Sequence, residues 1–196
     1  MREIHTTQRT SEYFSEKELS MQLGRARDDW WCVLIKELID NAIDACESQD
    51  ISPNIAVKVK EEQIIVQDNG PGLPLDIIEK SLDYNTRTST NQVYIAPTRG
   101  QLGNALKCAW AAPLVLSSKV STHYVEANGE GISISVDYDH IEDQPIIKTA
   151  RYSSEVQNGT FIALAWEKIA SYQDEAKHQF CTLLEKYSIF NPHLSI

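Results

Sequence analysis

Glu37, Asn41 and Asp44 stand at i, i+4 and i+7 in the stretch Lys36-Glu37-Leu38-Ile39-Asp40-Asn41-Ala42-Ile43-Asp44-Ala45-Cys46-Glu47. At about 100° per helical residue, that spacing gathers a carboxylate, an amide and a second carboxylate into one narrow stripe. Leu38, Ile39, Ala42 and Cys46 fall on the opposite side and form a face that packs on a core. The polar stripe carries Glu37, Asp40, Asn41, Asp44 and Ser48, with neither Lys nor Arg. An ordinary solvated helix face mixes both signs, so a stripe of acids and amides points to a cation nearby. For this stretch alone, a merely exposed face is the plain alternative.

Two further stretches have residue types suited to a nucleotide. In Asp68-Asn69-Gly70-Pro71-Gly72 a carboxylate at a strand end precedes two glycines, which puts a fixed acceptor beside backbone that a ligand can approach closely. Such an acceptor suits an exocyclic amine such as that of adenine, although D-x-G-x-G alone also describes many plain turns. Thr98-Arg99-Gly100-Gln101-Leu102-Gly103-Asn104-Ala105-Leu106-Lys107 is a glycine-containing loop running into a helix start. There, unpaired N–H groups and the positive dipole end favour phosphate. The Walker A spacing is absent, so the phosphate reading rests on the helix start. Asn158-Gly159-Thr160 opens an apolar strand and by itself is only a turn.

The elements that must position these groups follow from pattern. Ser15-Glu16-Lys17-Glu18 has the form of a capping box, with a short helix to Gly24 and with Tyr13 and Phe14 before it to pin the segment to something apolar. The main helix spans roughly Arg27 to Ser48. Asn54 to Lys60 alternates Ile55, Val57 and Val59 as a strand, and Ile64 to Asp68 is its hairpin partner. A short helix covers Leu75 to Leu82, and another covers Asn104 to Ala111. Between them, Asp83 to Gly103 is long, polar and weakly periodic, the signature of a functional lid. Val120 to Ala127, Ile132 to Tyr138, Ile146 to Arg151 and Thr160 to Trp166 are strands, with Asn128-Gly129 as a hairpin turn. Ser171 to Tyr187 is a closing amphipathic helix, and Leu194-Ser195-Ile196 begins a further strand. The order implies an α+β two-layer sandwich, a mixed, mostly antiparallel sheet with helices on one face.

Composition narrows the function classes. A chain of 196 residues with 42% hydrophobic and 23% charged residues suits one soluble domain with a substantial core. A net charge of −10 argues against this segment gripping a nucleic-acid backbone by itself. No apolar run approaches the roughly 18 residues of a membrane span, and the expected location is the cytoplasm. Cys32, Cys46, Cys108 and Cys181 lie far apart with no CxxC pair, and all sit in helical stretches. They are expected to be buried free thiols in a reducing compartment rather than metal ligands.

Taken in order, E-x-x-x-N-x-x-D on a helix, D-x-G-x-G, G-x-x-G at a helix start and G-T on a strand resemble the GHKL (Bergerat-fold) ATPase superfamily. The sequence is most similar to the ATPase subunit, the B subunit, of type IIB topoisomerases (topoisomerase VI). The resemblance is carried by Glu12-Tyr13-Phe14 with Leu23-Gly24, by Lys36 to Cys46, by Gln67-Asp68-Asn69-Gly70-Pro71-Gly72-Leu73-Pro74, and by Asn191-Pro192-His193. It implies ATP and Mg²⁺ as cofactors, with Glu37 as the general base that activates water, Asn41 as the Mg²⁺ ligand and Asp44 close by. Asp68 would select adenine, Gly70 and Gly72 would belong to the same nucleotide loop, with Gly72 making room for the base, and Thr160 would support Asp68 directly or through a water. Thr86 and Arg87 would reach ribose or phosphates from the start of the lid. Gly100, Gln101, Leu102, Gly103 and Asn104 would wrap the β- and γ-phosphates. The chemistry implied is phosphoryl transfer to water.

The resemblance also implies an N-terminal arm (1–24) that reaches a second protomer on ATP binding, ahead of one ATP-binding domain (25–196). A partner subunit, rather than this acidic domain, would contact and cleave DNA. Two departures stand out. Asn104-Ala105 replaces a further glycine of the phosphate loop, and the transducer domain that supplies a γ-phosphate lysine does not fit in 196 residues. An excised or minimal domain with slow turnover is therefore expected. A competing reading is an ATP-binding switch in repair, defence or chaperone-like work, with hydrolysis incidental. The retained Glu37 favours the ATP-operated clamp. A sensor histidine kinase fits poorly, because only His5 precedes the ATP site.

Overall fold

The helix bearing the acid-and-amide stripe begins with a 3₁₀ turn at Arg27–Asp29 and continues as an α-helix, α2 below, over Trp30–Glu47. Its other face buries Trp30, Leu34, Ile35, Ile39, Ile43 and Cys46 completely. Burying a side chain of this size contributes about 1.5–3 kcal/mol, so the apolar face, more than helix propensity, holds α2 in place. The computed structural model describes residues 13–60, 62–84, 104–167 and 173–196. Among these, the other helices are α1 (Glu16–Leu23), α3 (Leu75–Ser81), α4 (Ala105–Ser117) and α5 (Gln173–Phe190).

Six strands make one sheet: β1 (Ala56–Val59), β2 (Gln63–Gln67), β3 (Ser121–Ala127), β4 (Glu130–Asp139), β5 (Gln144–Ser153) and β6 (Thr160–Ala165). Their order is β1-β2-β6-β3-β4-β5. All of these ladders are antiparallel, and short hairpins join β1 to β2, β3 to β4 and β4 to β5. The parallel element expected in a mixed sheet is a single bridge, Asn54 to Ser195. There the C-terminal segment exchanges backbone hydrogen bonds with Pro53 and Ile55. The architecture is α+β, as the pattern of elements implies. No helix among the described residues is long and apolar enough to cross a membrane.

Helix α4 runs further than the sequence pattern implies. Pro113 should end it near Ala111, yet the helix continues to Ser117 with Pro113 inside. Proline forfeits one intrahelical bond and crowds the preceding turn, at about 3 kcal/mol. Every residue from Lys107 to Leu114 is buried, and α4 packs on α2, β3, β4 and β6. Burial on all sides outweighs the local penalty. Beneath α4 lies His123, fully enclosed, whose Nδ1 accepts from the Ala165 N–H at 3.1 Å. The proton therefore sits on Nε2, which is 3.1 Å from both the Trp110 carbonyl and Ser121 Oγ.

The N-terminal segment from Tyr13 onward is built into its own domain. Ser15 Oγ caps α1 by accepting from the Glu18 N–H, and Leu19 is fully buried. Tyr13 and Phe14 pack edge-on against Tyr84, and Phe14 also stacks on Tyr138. The thiols correct the expectation of uniform burial. Cys46 and Cys108 are buried, Cys32 is partly so, and Cys181 is exposed on α5. All are free. A cysteine on a helix follows whichever face it occupies.

Candidate functional site

Along α2, Glu37 and Asp44 are half-buried and Asn41 is exposed. Glu37 lies near the first turn of α4, where its charge, after burial, helps push the Cys108 thiol up to about 12. Helices α2 and α4 pack on each other. The stripe is not free of cations, as the bare sequence pattern suggests. Lys36 Nζ lies 3.0 Å from Glu37 Oε1 and 2.7 Å from Asp40 Oδ2. Asp40 leaves the stripe as well. It lies about 60° off the Glu37 direction, on the Lys36 side. There it is buried and accepts a 2.6 Å hydrogen bond from the Tyr187 hydroxyl of α5. Burial pulls Lys36 down, but its hydrogen bonds to Asp40 and then Glu37 outweigh that and leave its pKa above the ordinary lysine value. Lys36 and Asp40 form an i, i+4 pair, a signal legible in the sequence; the arrival of Tyr187 is not.

Asp68 follows β2 and is held from three sides. Its Oδ1 accepts from the Gly70 N–H at 2.8 Å and the Thr160 N–H at 3.1 Å, and the Thr160 side chain also hydrogen-bonds it. Burial, the larger effect, raises the carboxyl above its ordinary value, and these hydrogen bonds oppose the rise. Thr160 also accepts from the Leu73 N–H at 3.1 Å, which ties the glycine loop to β6. The register makes this possible, because Gln67 pairs with Phe161 and leaves Asp68 beside Thr160. Gly159 is the tightest point. A Cβ there would sit 1.9 Å from the Asp68 carbonyl oxygen, and its φ is +77°. At Gly72, with φ +83°, the space for a side chain is filled by Asn128, whose amide would lie 2.6 Å from a Cβ. Asn128 donates to the Pro71 carbonyl and belongs to the loop's surroundings, a role its sequence position in a hairpin turn does not suggest. Asn69 anchors the other side by accepting from the Asn54 N–H and donating to the Ser52 carbonyl.

At the start of α4, Asn104 occupies the cap position without capping the helix. Its Nδ2 donates to Gln22 Oε1 at 3.4 Å, while its Oδ1 is buried without a partner. The first-turn N–H groups are thus left without a side-chain cap, as a helix start that holds phosphate requires. Lys107 does not serve as a phosphate cation in this arrangement. It is buried, donates to the Asp83 carbonyl and lies 5.9 Å over the rings of both Tyr13 and Tyr84. Thr86, Arg87, Gly100, Gln101, Leu102 and Gly103, together with most of the expected lid, fall outside the described residues.

The donor set fits Mg²⁺ held through a nucleotide rather than by a protein cage. Among the described residues no group of three His, Cys, Asp or Glu side chains is placed to hold a metal ion. Mg²⁺ characteristically takes one or two protein oxygens, keeps several waters and binds substrate phosphates. The exposed amide of Asn41 suits that mode.

The chain is 30% identical over 173 residues to the B subunit of the type 2 DNA topoisomerase 6 of Archaeoglobus fulgidus, covering 83% of this chain and 28% of that protein. The same subunit of Thermococcus gammatolerans is 26% identical over 201 residues, covering 96% of this chain and 34% of its own length. The chain therefore spans about a third or less of these relatives. A looser likeness, with a TM-score of 0.47 and 19% identity, links it to the ATPase domain of the mismatch-repair endonuclease MutL of Aquifex aeolicus, over 83% of this chain and 53% of that one. Residues 28–166 match the family described as histidine kinase-, DNA gyrase B-, and HSP90-like ATPase. That match runs from the 3₁₀ turn before α2 to the end of β6 and takes in the acid stripe, the Asp68 loop and the start of α4, so the chain belongs to this ATPase family.

Proposed function

We propose that this chain binds Mg-ATP and hydrolyses it slowly, acting as an ATP-operated dimerisation clamp in DNA transactions. The observation that carries the nucleotide reading is Asp68, a carboxylate fixed by Gly70 and Thr160 beside a glycine loop. Its acceptor oxygens suit the amino group of adenine, while Gly70, Gly72 and Thr160 shape the loop around it. Glu37 takes the proton of the attacking water, and Asn41, with Asp44 near it, holds the metal side of the nucleotide. The uncapped start of α4 at Asn104, continuing Gly100 to Gly103, donates N–H groups to the phosphates, and Thr86 and Arg87 reach the ribose or phosphates. Bound Mg²⁺ would supply neutralisation of phosphate charge.

Adenine selectivity tests this reading. Calorimetric titration should show ATP binding at least roughly tenfold more tightly than GTP, whose carbonyl would face the acceptor oxygens of the carboxylate. Asp68→Asn should weaken ATP binding. Equal affinity for ATP and GTP would remove Asp68 from the adenine site.

The clamp role draws on the relatives, which are subunits of topoisomerase 6. By that likeness this chain works with a partner subunit that contacts DNA, in keeping with its own net charge of −10. ATP should drive self-association through the first residues of the chain. Tyr13 and Leu19 belong to this domain's own core, so the informative truncation removes residues 1–12 and leaves the core whole. In sedimentation with a non-hydrolysable ATP analogue, the full chain should form dimers and the truncated chain should not. A full chain that stays monomeric at high concentration, or a dimer that survives truncation, would refute the role of the arm.

A further inference from the structure

The ammonium of Lys36 is shared between two carboxylates on one helix. It lies 3.0 Å from Glu37 Oε1 and 2.7 Å from Asp40 Oδ2. The two contacts differ in kind. Lys36 and Asp40 are i, i+4 neighbours and meet naturally along the helix. Lys36 and Glu37 are adjacent and point about 100° apart, so their contact requires the side chains to bend toward each other round the helix. An ammonium at 3.0 Å from the Glu37 carboxylate stabilises its charge and opposes its taking a proton.

Asp40 competes with Glu37 for that ammonium. It is buried, and its Oδ1 takes the Tyr187 hydroxyl of α5 at 2.6 Å, which leaves Oδ2 turned to Lys36. The same hydroxyl lies 3.3 Å from the Lys36 carbonyl, so Tyr187 clasps both the backbone of Lys36 and the side chain that draws Lys36 off. We infer that Asp40, oriented by Tyr187, is a positioning residue that withdraws Lys36 from Glu37, and that Lys36 acts as a brake on hydrolysis when Asp40 cannot hold it. The inference rests on Glu37 being the base. Because Tyr187 is on α5, the seating of that helix on α2 sets how firmly the brake is held off.

The test is steady-state hydrolysis of Mg-ATP by the full chain, with kcat and KM measured separately for wild type, Asp40→Asn, Lys36→Met and the double variant. Asp40→Asn keeps the shape and the hydrogen bond from Tyr187 but removes the charge that holds Lys36. It should lower kcat roughly tenfold with KM unchanged, while Lys36→Met should not lower kcat. The double variant should return to within about twofold of Lys36→Met, because without the brake Asp40 has nothing to withdraw. Thermal melts establish that each variant is folded; Lys36→Met, at an exposed position, gives an independent reading if Asp40→Asn is unstable. A double variant as slow as Asp40→Asn, or a Lys36→Met that is itself slow, would overturn the brake. Glu37→Ala, run alongside, separates the two levels. If it turns over normally, the base and the brake both fall; if it is inactive while Asp40→Asn matches wild type, only the brake falls.

Discussion

Glu37→Ala is expected to bind Mg-ATP about as tightly as the wild type and to turn it over roughly 100-fold more slowly, or slower still, the loss that removal of a general base produces. Two features keep the substitution local. The Glu37 side chain is 31% exposed, so water can reach the space its truncation leaves. Lys36 does not become an orphan charge, because Asp40 already holds it at 2.7 Å. Asp68, the proposed adenine contact, belongs to a different element and should be untouched. Asn41→Ala should behave in the opposite way and weaken Mg-ATP binding itself. Calorimetry and single-turnover hydrolysis on both variants separate the roles. Wild-type turnover by Glu37→Ala would show that the base lies elsewhere.

Acidification should destabilise the fold through His123. Complete burial, opposed only weakly by the hydrogen bond at the Trp110 carbonyl, pushes its pKa down to about 4, against an ordinary value of 6.5. Between those values the unfolded chain binds a proton that the native chain refuses. The stabilisation is therefore complete above pH 6.5 and lost as the pH falls from 6.5 toward 4, about 3 kcal/mol in all. Urea unfolding of the wild type should lose about 2 kcal/mol more between pH 8 and pH 5 than that of His123→Gln, which has no imidazole to charge. Parallel pH profiles for the two proteins would mean that His123 does not titrate in this window. Since His123 joins α4 to β3 and β6, any acid loss of nucleotide binding has to be separated from this unfolding before it is assigned to Asp68.

How much was legible in advance differs by element. Helix α2, the β1–β2 hairpin, the Asn128-Gly129 turn and the strands of the second half follow from periodicity and turn chemistry, and their ends shift by only a few residues. Helix α4 shows where local rules fail. Proline is a local signal, but its penalty is set against burial that depends on α1, α2, α3, β3, β4 and β6. The C-terminal bridge is likewise a local pattern whose partner, Asn54, lies 141 residues before Ser195.

For the candidate site, sequence alone determined the residue types and their order: an acid and an amide one turn apart on a helix, an acid before two glycines, a glycine loop before a helix, and a Gly-Thr pair before a strand. These are local because helical and strand periodicity set which side chains share a face. Contacts between distant segments were decided only by the tertiary structure. Antiparallel register brings Thr160 to Asp68 and presses Gly159 so close to the Asp68 carbonyl that no side chain fits. The packing of α5 on α2 delivers Tyr187 to Asp40 and gives Lys36 two acids to choose between. The hydroxyl that reaches Asp40 lies 147 residues away in the chain, and such a contact depends on distance in space and has no trace in local spacing.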